Sequence, residues 1–310
     1  MKTCIVTGAT GFIGTSVVRQ LSDSGIKTFC VVRSKDAAIK KIGDLKNIIF
    51  LEGSLDELEQ ICSGIDEKID TFYHFAWQGS TGNERADYAL QLQNAKWSAD
   101  AATVAVKLGC ERFVCTGTLA EFDINSYAPE DGSTPNMVSC YADAKLAAHY
   151  MTKAICAGTN TKHIWAYLSN TFGPGNFTSN FVNFASKIMI TGKPADFTPG
   201  EQYYDFNYIE DTANGLYQLG QSGEGLKSYY IGSGNPDKLK NYIAKIRDAI
   251  DPSIKLNLGA IPFNGVSQPL STFDCAKLKA DTQYETKYSF EEAIKKTIPW
   301  IRKQIIEGNL

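Results

Sequence analysis

The chain has 310 residues, of which 43% are hydrophobic and 21% are charged, a composition ordinary for a folded globular protein. A chain of this length holds roughly two domains and can bury a large core. Its 31 basic and 34 acidic residues give a formal net charge of −3. This balance argues against nucleic acid as a partner, because a phosphate backbone requires a basic face, but it is compatible with a small basic pocket.

Further classes of protein are disfavoured by what the sequence lacks. No apolar run approaches the roughly 20 residues that span a bilayer, so we expect no membrane association. A strand pattern begins at the first residues with no signal peptide before it, which predicts a cytoplasmic protein. The eight cysteines are scattered without a C-x-x-C pair and are expected to be free, buried thiols. The three histidines have no ligand set beside them, so no metal site is expected.

The first half of the chain alternates apolar strand patterns with helical patterns. The expected strands are 2–7, 27–33, 47–52, 69–75, 112–116 and 162–168, and the expected helices are 12–25, 85–108 and 139–157. Near-continuous apolar strands between helices predict a parallel sheet that is covered on both faces. Since such crossovers are right-handed, the predicted fold is an α/β, doubly wound parallel sheet.

After about residue 170 the elements become short, and Gly, Pro, Asn and Tyr become frequent. Strands are expected at 203–209 and 228–231, and helices near 237–249 and 289–307. We interpret this part as a smaller C-terminal substrate-binding α/β domain over the carboxyl edge of the sheet, where ligands bind in open α/β sheets. The predicted dinucleotide-binding domain is 1–170 plus about 204–232, and the predicted substrate-binding domain is 171–203 plus 233–310.

The loop between the first strand and the first helix reads Thr-Gly-Ala-Thr-Gly-Phe-Ile-Gly, with glycines spaced G-x-x-G-x-x-G. Gly8 allows a tight turn, Gly11 lets the backbone approach a pyrophosphate, and Gly14 lets the helix pack against the sheet. Phe12 and Ile13 open a helix whose N-terminus presents free N–H groups to phosphates. Glycines also mark ordinary turns, but here strand, loop and helix follow in the required order. We therefore predict dinucleotide binding.

The end of the second strand indicates which dinucleotide is bound. NAD sites have an Asp or Glu there to hold the ribose hydroxyls. This chain has Arg33 and Lys35 instead, which can pair with a 2′-phosphate. The alternative is a solvated basic strand end. The sequence predicts NADP as the cofactor, with NAD possible.

Tyr141 and Lys145 form a Y-x-x-x-K pair within the helix predicted at 139–157. Residues at i and i+4 share one face of a helix. A free phenol has a pKa of about 10, and a neighbouring ammonium group favours the phenolate. We expect Lys145 to lower the pKa of Tyr141, so that Tyr141 can exchange a proton with a substrate oxygen. The pattern is common by chance, and its position after the glycine loop makes it more specific.

Two hydroxyl groups, those of Thr116 and Thr118, stand where the strand predicted at 112–116 ends. Either could hydrogen-bond a reacting carbonyl. The alternative is that the two threonines reflect only strand propensity and local capping.

Together these motifs resemble those of the extended short-chain dehydrogenase/reductase family, also described as the NAD-dependent epimerase/dehydratase family. The similarity covers nearly the whole chain. It includes the His-Phe-Ala-Trp segment at 74–77, Asn94 on the next helix, and Asn170 shortly before a Gly-Pro-Gly loop. The segment 200–211 is similar to the signature of the family's substrate domain. The resemblance implies a Rossmann fold, a nicotinamide dinucleotide cofactor and a nucleotide-sugar substrate.

The resemblance also implies roles for individual residues. Thr118, rather than Thr116, matches the family's catalytic Ser or Thr and would act with Tyr141 and Lys145. Cofactor contacts beyond the glycine loop and the basic pair are implied at Phe75, Ala76, Trp77, Asn94, Thr116, Tyr141, Lys145, Leu168 and Thr171. Substrate contacts are implied at Trp77, Thr118, Glu121, Asn170 and Tyr204.

Within the family, the chain is most similar to reductases of nucleotide-linked 4-keto-6-deoxyhexoses. The segment Gly-Thr-x-x-Glu-Phe-Asp at 117–123 and the side chain of Trp77 resemble that subgroup. Dehydratases of the family have Asp and Glu where this chain has Leu119 and Ala120, which have no acid–base chemistry. A 4,6-dehydratase is therefore disfavoured. Tyr204 stands where many relatives have an Arg that grips the diphosphate.

Three functions follow from this resemblance. The favoured one is NADPH-dependent reduction of a C4 keto group, in which Tyr141 protonates the developing alkoxide. Lys145 would then hold the nicotinamide ribose, and Thr118 would hydrogen-bond the C4 oxygen. The alternative is a nucleotide-sugar 4-epimerase that keeps NAD tightly bound and uses the same three residues. A regulator that binds NADP without turnover is less favoured, because it would have little reason to keep Tyr141 and Lys145 at helical spacing.

The helices expected at 85–108 and 139–157 resemble those that pair across the twofold axis of family dimers. We therefore expect a homodimer. Small residues on the second helix, such as Ala144 and Ala148, would equally suit packing against the sheet.

Overall fold

The structure of the chain is a computed structural model that describes residues 1–127, 131–132 and 137–310. In these ranges the strands are β1 (Thr3–Thr7), β2 (Lys27–Val32), β3 (Ile48–Glu52), β4 (Thr71–His74), β5 (Arg112–Thr118), β6 (Lys162–Leu168), β7 (Asn170–Phe172), β8 (Ala195–Phe197), β9 (Tyr203–Tyr204), β10 (Phe206–Tyr208), β11 (Lys227–Ile231), β12 (Asp237–Lys238) and β13 (Leu256–Leu258). The α-helices are α1 (Phe12–Asp23), α2 (Lys35–Ile42), α3 (Leu58–Ser63), α4 (Tyr88–Lys107), α5 (Ala120–Tyr127), α6 (Ser139–Cys156), α7 (Phe181–Ile190), α8 (Ile209–Ser222), α9 (Leu239–Ile250), α10 (Ala276–Asp281) and α11 (Phe290–Ile306).

Seven strands form one parallel sheet in the order β11-β6-β5-β4-β1-β2-β3. The order reverses beside β1, because β2 and β3 lie on one side of it and the other four strands on the other. The α/β, doubly wound fold expected from the sequence is confirmed. The loop after β1 lies at the switch point of the strand order, where open α/β sheets bind their ligands.

The sheet is buried on both faces, and alternate residues of each strand enter different hydrophobic clusters. Ile5 and Phe72 pack on one face with residues of α3, α4 and α6. Val6 and Tyr73 pack on the other face with residues of α1, α2 and α8. This alternation follows from the two-residue period of a strand, and it explains why the strands are apolar without interruption.

The chain divides into two units by the density of its internal contacts. Unit 1 comprises Met1–Leu168, Ala213–Ile231 and Ala276–Tyr284, and unit 2 comprises Ser169–Thr212, Gly232–Cys275 and Glu285–Leu310. Two segments differ from the sequence-based boundaries: 204–212 lies in unit 2, and 276–284 lies in unit 1. The helix α10 brings the latter segment to unit 1, since it packs against β11. The binding roles assigned to the two domains stay predictions.

The strand expected at 203–209 is two short strands, neither of which joins the large sheet. β9 pairs antiparallel with β12, and β10 pairs parallel with β7. Asp205 separates them, and its buried carboxylate accepts hydrogen bonds from the backbone N–H groups of Ser233 (3.2 Å) and Gly234 (3.4 Å). Only the later part of the predicted segment 204–232, the strand β11, returns to the sheet of unit 1.

A buried histidine links three elements of unit 1. The Nδ1 atom of His74 lies 2.8 Å from Thr7 Oγ1, and its Nε2 atom lies 3.2 Å from Ser98 Oγ. These contacts join the ends of β1 and β4 to α4. Burial, together with the nearby charge of Lys145, lowers the pKa of His74 to about 3, so this histidine is neutral at physiological pH.

Within the part of the chain that the structure describes, no helix combines the length and the apolarity needed to cross a bilayer. In the same ranges, no group of three His, Cys, Asp or Glu side chains is arranged to hold a metal ion. The eight cysteines are free thiols, and seven of them are buried.

Candidate functional site

The turn from β1 into α1 is closed by two glycines. Gly8 has a φ of +72°, and a Cβ there would lie 2.5 Å from the backbone nitrogen of Ala76. A Cβ on Gly14 would collide with the carbonyl oxygen of Gly8. Any side chain at either position would therefore push α1 and the end of β4 away from the loop.

The N-terminus of α1 is free of side-chain capping. Its N-cap, Gly11, has an extended conformation, and no acidic residue occupies the first turn of this helix. The N–H groups and positive dipole end of the helix are thus left to an anionic ligand. Phe12 and Ile13, predicted to contact the cofactor, begin this helix.

A cavity of about 340 Å³ opens at this switch point. It is lined by Gly8, Thr10, Gly11, Val31, Val32, Arg33, Lys41, Gly53, Ser54, Leu55, Phe75, Ala76, Trp77, Gln78 and Trp97. Six of these residues are among the predicted cofactor contacts: Gly8, Gly11, Arg33, Phe75, Ala76 and Trp77. Backbone N–H groups, apolar walls and two cations, with no carboxylate among the described lining residues, fit a dinucleotide.

The basic side of this cavity differs in one residue from the sequence prediction. Arg33 lines it, but Lys35 does not. The backbone N–H of Lys35 donates to the carboxylate of Glu52 at 2.7 Å, and α2 begins at this residue. The second turn of α2 brings Lys41 to the cavity instead. Ser34 is a typical N-cap residue, so the sequence signals a helix that begins at Lys35. Such a helix carries Lys41 in its second turn, and this signal could have identified Lys41 as a candidate.

Asn94 holds the loop that follows β4. It is 1% exposed, its Oδ1 accepts from the backbone N–H of Gln78 at 2.9 Å, and its Nδ2 donates to the carbonyl of Gln78 at 2.8 Å. Trp77 Nε1 donates to Oε1 of the buried Gln91 at 2.8 Å. The helix α4 thereby fixes two residues of the cavity wall, while a direct contact between Asn94 and a cofactor stays a prediction.

The three predicted catalytic residues meet at the carboxyl end of β5. Tyr141 and Thr118 share a side-chain hydrogen bond. Lys145 Nζ donates to the carbonyl of Thr116 at 2.9 Å and lies 3.8 Å from the centroid of the Trp77 ring. The Trp77 and Tyr141 rings meet edge to face, with centroids 5.9 Å apart. The first turns of α6 thus bring Tyr141 to the Thr118 hydroxyl and Lys145 to the Thr116 carbonyl.

The electrostatics of Tyr141 differ from the expectation. Burial raises the pKa of Tyr141, the Thr118 hydrogen bond and the guanidinium of Arg85 lower it, and the charge of Glu121 raises it. Burial lowers the pKa of Lys145, whose ammonium group is directed at the Thr116 carbonyl and the Trp77 ring. The pKa of Tyr141 is thus raised overall rather than lowered, and the guanidinium that opposes this rise is that of Arg85. The effect of Lys145 on this phenol stays a prediction.

Glu121, predicted to contact the substrate, lies beneath the end of β5. Its side chain is 2% exposed. One carboxylate oxygen accepts hydrogen bonds from the backbone N–H of Thr118 at 2.8 Å and from Trp165 Nε1 at 3.3 Å. The other oxygen lies 3.6 Å from His149 Nδ1. The observed contacts of Glu121 are with the protein, and they fix the turn that carries Thr118.

The remaining predicted residues lie in two places. Leu168 ends β6 and is the register partner of Thr118 in the sheet of unit 1. Within unit 2, Asn170 pairs with Phe206 between β7 and β10, and Tyr204 stacks on the Phe206 ring at 5.6 Å. The Thr171 hydroxyl lies 3.1 Å from that of Thr212. The predicted ligand contacts of these residues stay predictions.

The comparison with known families agrees with this geometry. The model of the NAD dependent epimerase/dehydratase family matches residues 4–232. The chain belongs to the NAD-dependent epimerase/dehydratase family. This is the extended short-chain dehydrogenase/reductase family that the sequence motifs resemble, and the recognition from the sequence is confirmed at that level.

The curated relatives of the chain are distant in sequence. An uncharacterized protein of Methanocaldococcus jannaschii, MJ1055, is 22% identical over 96% of both chains. The dTDP-glucose 4,6-dehydratase of Salmonella typhimurium is 23% identical over 57% of this chain and 49% of its own. The chain thus matches about half the length of that dehydratase.

Solved structures of family members share the fold. The UDP-N-acetylglucosamine 4-epimerase of Methanobrevibacter ruminantium, in complex with UDP-N-acetylmuramic acid, aligns with a TM-score of 0.80 at 19% identity, over 98% of this chain and 99% of that chain. The Bordetella bronchiseptica enzyme WbmF, in complex with NADH, aligns with a TM-score of 0.78 at 19% identity, over 99% and 94%. At such identities the likeness establishes the fold alone.

Proposed function

We propose that the protein is an NADPH-dependent reductase that converts the C4 keto group of a nucleotide-linked 4-keto-6-deoxyhexose to a hydroxyl. The observation that carries this proposal is the hydrogen-bonded pair of Tyr141 and Thr118 beside Lys145. Leu119 and Ala120, which follow Thr118, offer no acid or base for the elimination that a dehydratase performs. The substrate class rests on the resemblance of the segment 117–123 to such reductases.

Each residue of the pair has a part in this reaction. The bound dinucleotide would supply the hydride. Thr118 hydrogen-bonds the C4 oxygen and Tyr141 gives it the phenolic proton, so that an alkoxide does not accumulate. Lys145 contributes a donor to the nicotinamide ribose. Residues of unit 2, including Asn170 and Tyr204, are proposed to hold the nucleotide sugar.

NADP is the proposed cofactor, although NAD is compatible with the same cavity. Arg33 and Lys41 both line it, and a guanidinium and an ammonium group together suit a 2′-phosphate. WbmF, in contrast, was solved with NADH, so NAD is the alternative.

The test is turnover of a 4-keto-6-deoxy nucleotide sugar with NADPH, followed at 340 nm. We expect wild type to consume NADPH and Tyr141→Phe to lose at least about a hundredfold in kcat, because the variant lacks the proton donor. Tyr141→Phe should still bind the dinucleotide, which separates loss of chemistry from loss of the cofactor. Full activity of Tyr141→Phe would contradict the assigned role.

A 4-epimerase is the second candidate, and the fold similarity to the Methanobrevibacter 4-epimerase favours it. Such an enzyme would carry NAD through purification and would interconvert UDP-glucose and UDP-galactose, or their N-acetyl counterparts, without added cofactor. That outcome, with no net consumption of NADPH, would replace the reductase by the epimerase. Tight NADP binding without either activity would instead favour a regulator.

We also propose a homodimer. Tyr88 and Leu92 of α4 and Tyr150 of α6 are 60–64% exposed, and these two helices pack against each other in unit 1. Large apolar side chains that are exposed together are typical of a surface that a second copy covers.

A further inference from the structure

Arg85 lies against the ring of Tyr141. It belongs to a short 3-10 helix, Gly82–Ala86, in the loop after β4. Its guanidinium carbon lies 4.6 Å from the ring centroid. Among the residues that the structure describes, the buried Nε of Arg85 has no hydrogen-bond partner. The charge of Arg85 is therefore left to act on the ring that it covers.

The turn that carries Arg85 is held by a buried side chain. Gln91 Nε2 donates to the carbonyls of Gly79 and Glu84, both at 2.9 Å, and Gln91 is fully buried. The same side chain accepts the hydrogen bond from Trp77 Nε1. One residue of α4 thus holds both the Trp77 ring and the backbone of the turn that carries Arg85.

The other charged groups around Tyr141 do not replace Arg85. Lys145, on the same helix, donates to the Thr116 carbonyl and lies over Trp77. Glu121, in the first turn of α5, is buried and negative, so it disfavours the phenolate. Thr118, from β5, contributes an uncharged hydrogen bond. Within the described residues, Arg85 is the cation that contacts the ring.

We propose that Arg85 stabilises the phenolate of Tyr141 and so supports proton transfer from this residue. When the O–H bond of Tyr141 breaks and a new O–H bond forms at the substrate oxygen, negative charge moves from that oxygen to the phenolate. A cation over the ring face is attracted more strongly by the ionised ring than by the neutral one. Arg85 acts through Tyr141, so it is a positioning residue.

This inference rests on Tyr141 being the proton donor of the proposed reaction, but ionisation of Tyr141 can be measured without turnover. The protein is produced with 3-fluorotyrosine, which brings phenol ionisation to lower pH, and is titrated by tyrosinate absorbance. Subtracting the curve of Tyr141→Phe isolates Tyr141 from the other tyrosines. The compared variants are Arg85→Met, which removes the charge, and Arg85→Lys, which keeps it.

We expect Tyr141 to ionise about one pH unit higher in Arg85→Met than in wild type, since an opposite charge within about 4–6 Å shifts a pKa by this order. Arg85→Lys should recover at least half of that shift. Glu121→Gln, which removes the opposing charge, should shift the ionisation to lower pH. Arg19→Met, an exposed site on α1, is the matched control and should titrate like wild type.

The pH dependence of kcat should shift in the same direction as the ionisation of Tyr141. In the reductive direction the phenol must be protonated, so the alkaline fall of kcat should move to higher pH in Arg85→Met, with KM little changed. Identical Tyr141 titrations in wild type and Arg85→Met would overturn the inference, as would a shift that Arg85→Lys does not recover. If instead the titrations differ as expected while no keto sugar is reduced, the role of Arg85 stands and the proposed reaction fails.

Discussion

Arg33 and Lys41 come from different elements and meet at one cavity. Arg33 follows β2, while Lys41 lies eight residues further on, in α2. Lys35, which is nearer to Arg33 in sequence, does not line the cavity, and α2 begins at this residue. At the scale of single residues, spacing along the chain is a poor guide to which cations share a ligand.

This arrangement predicts cofactor selectivity residue by residue. Arg33→Ala and Lys41→Ala should each weaken NADPH binding by about tenfold and NADH binding little, because only NADPH has the 2′-phosphate that pairs with them. Lys35→Ala is the matched control and should bind both dinucleotides like wild type. Fluorescence titration with each dinucleotide measures this. If either variant lost affinity for NADPH and NADH equally, its residue would not bind the 2′-phosphate.

Tyr141 illustrates what residue patterns can and cannot predict. Its pairing with Lys145 on one helix face is visible in the spacing, and the structure brings Tyr141 to Thr118 and Lys145 to the carbonyl of Thr116. Arg85 has no such signal, because a lone arginine in a polar loop has no pattern that aims it at a ring. Its contact with Tyr141 depends on Gln91, a residue of the following helix.

At the scale of elements, the β1–α1 turn depends on close approach of backbone to backbone. Gly14→Ala adds a methyl group that would collide with the Gly8 carbonyl, so α1 must shift. We expect a loss of about 1–3 kcal/mol in the free energy of unfolding, the usual cost of overpacking, together with weaker dinucleotide binding. Urea denaturation and fluorescence titration measure the two effects.

The control for this variant is Gly64→Ala. Gly64 is the C-cap of α3 and has a φ of −82°. The atom nearest to a Cβ added there would be the carbonyl oxygen of Ile61, at 4.0 Å. This variant should be nearly as stable as wild type and bind dinucleotide normally. A Gly14→Ala protein that behaves like Gly64→Ala would show that the helix adapts without cost.

Elements with a clear period were predicted best. β1 and α1 were expected at 2–7 and 12–25 and are found at Thr3–Thr7 and Phe12–Asp23. The segment 203–209 was predicted less well. Its alternation of side chains continues through Asp205, but the strand before Asp205 pairs with β12 and the strand after it pairs with β7. Pairing is decided by residues distant in sequence, which a local pattern does not contain.

At the scale of the whole molecule, two buried histidines couple stability to pH. Burial lowers the pKa of His74 to about 3 and, with the charges of His149 and Lys153, that of His163 to about 3. In the unfolded chain each would titrate at about 6.5. Between these values the unfolded chain binds more protons than the folded one, so the free energy of unfolding is highest above pH 6.5 and falls as the pH is lowered.

We expect this free energy to fall by up to about 1.4 kcal/mol per pH unit for each histidine below pH 6.5. Urea denaturation at pH 7.5, 6.5 and 5.5 measures the slope. His163→Gln should reduce the slope by about one proton, because the group that titrates on unfolding is gone. A slope unchanged in His163→Gln, or no dependence on pH in wild type, would contradict the assignment.

The sequence by itself determined the alternation of strands and helices, the glycine loop and the pairing of Tyr141 with Lys145. These features are local: they depend on periods of two and 3.6 residues and on glycine at fixed offsets, so neighbouring residues are sufficient to specify them. The family follows from the same motifs.

Only the tertiary structure decided which distant side chains share a site. It brought Lys41 rather than Lys35 to the cavity, buried Glu121 beneath Thr118, and set Arg85 over Tyr141. The contacts of Arg85 with Tyr141 and of Glu121 with Trp165 and His149 join elements that are far apart in sequence. The charge acting on a catalytic phenol depends on distance and burial in the folded chain, and neither quantity is written in the spacing of residues.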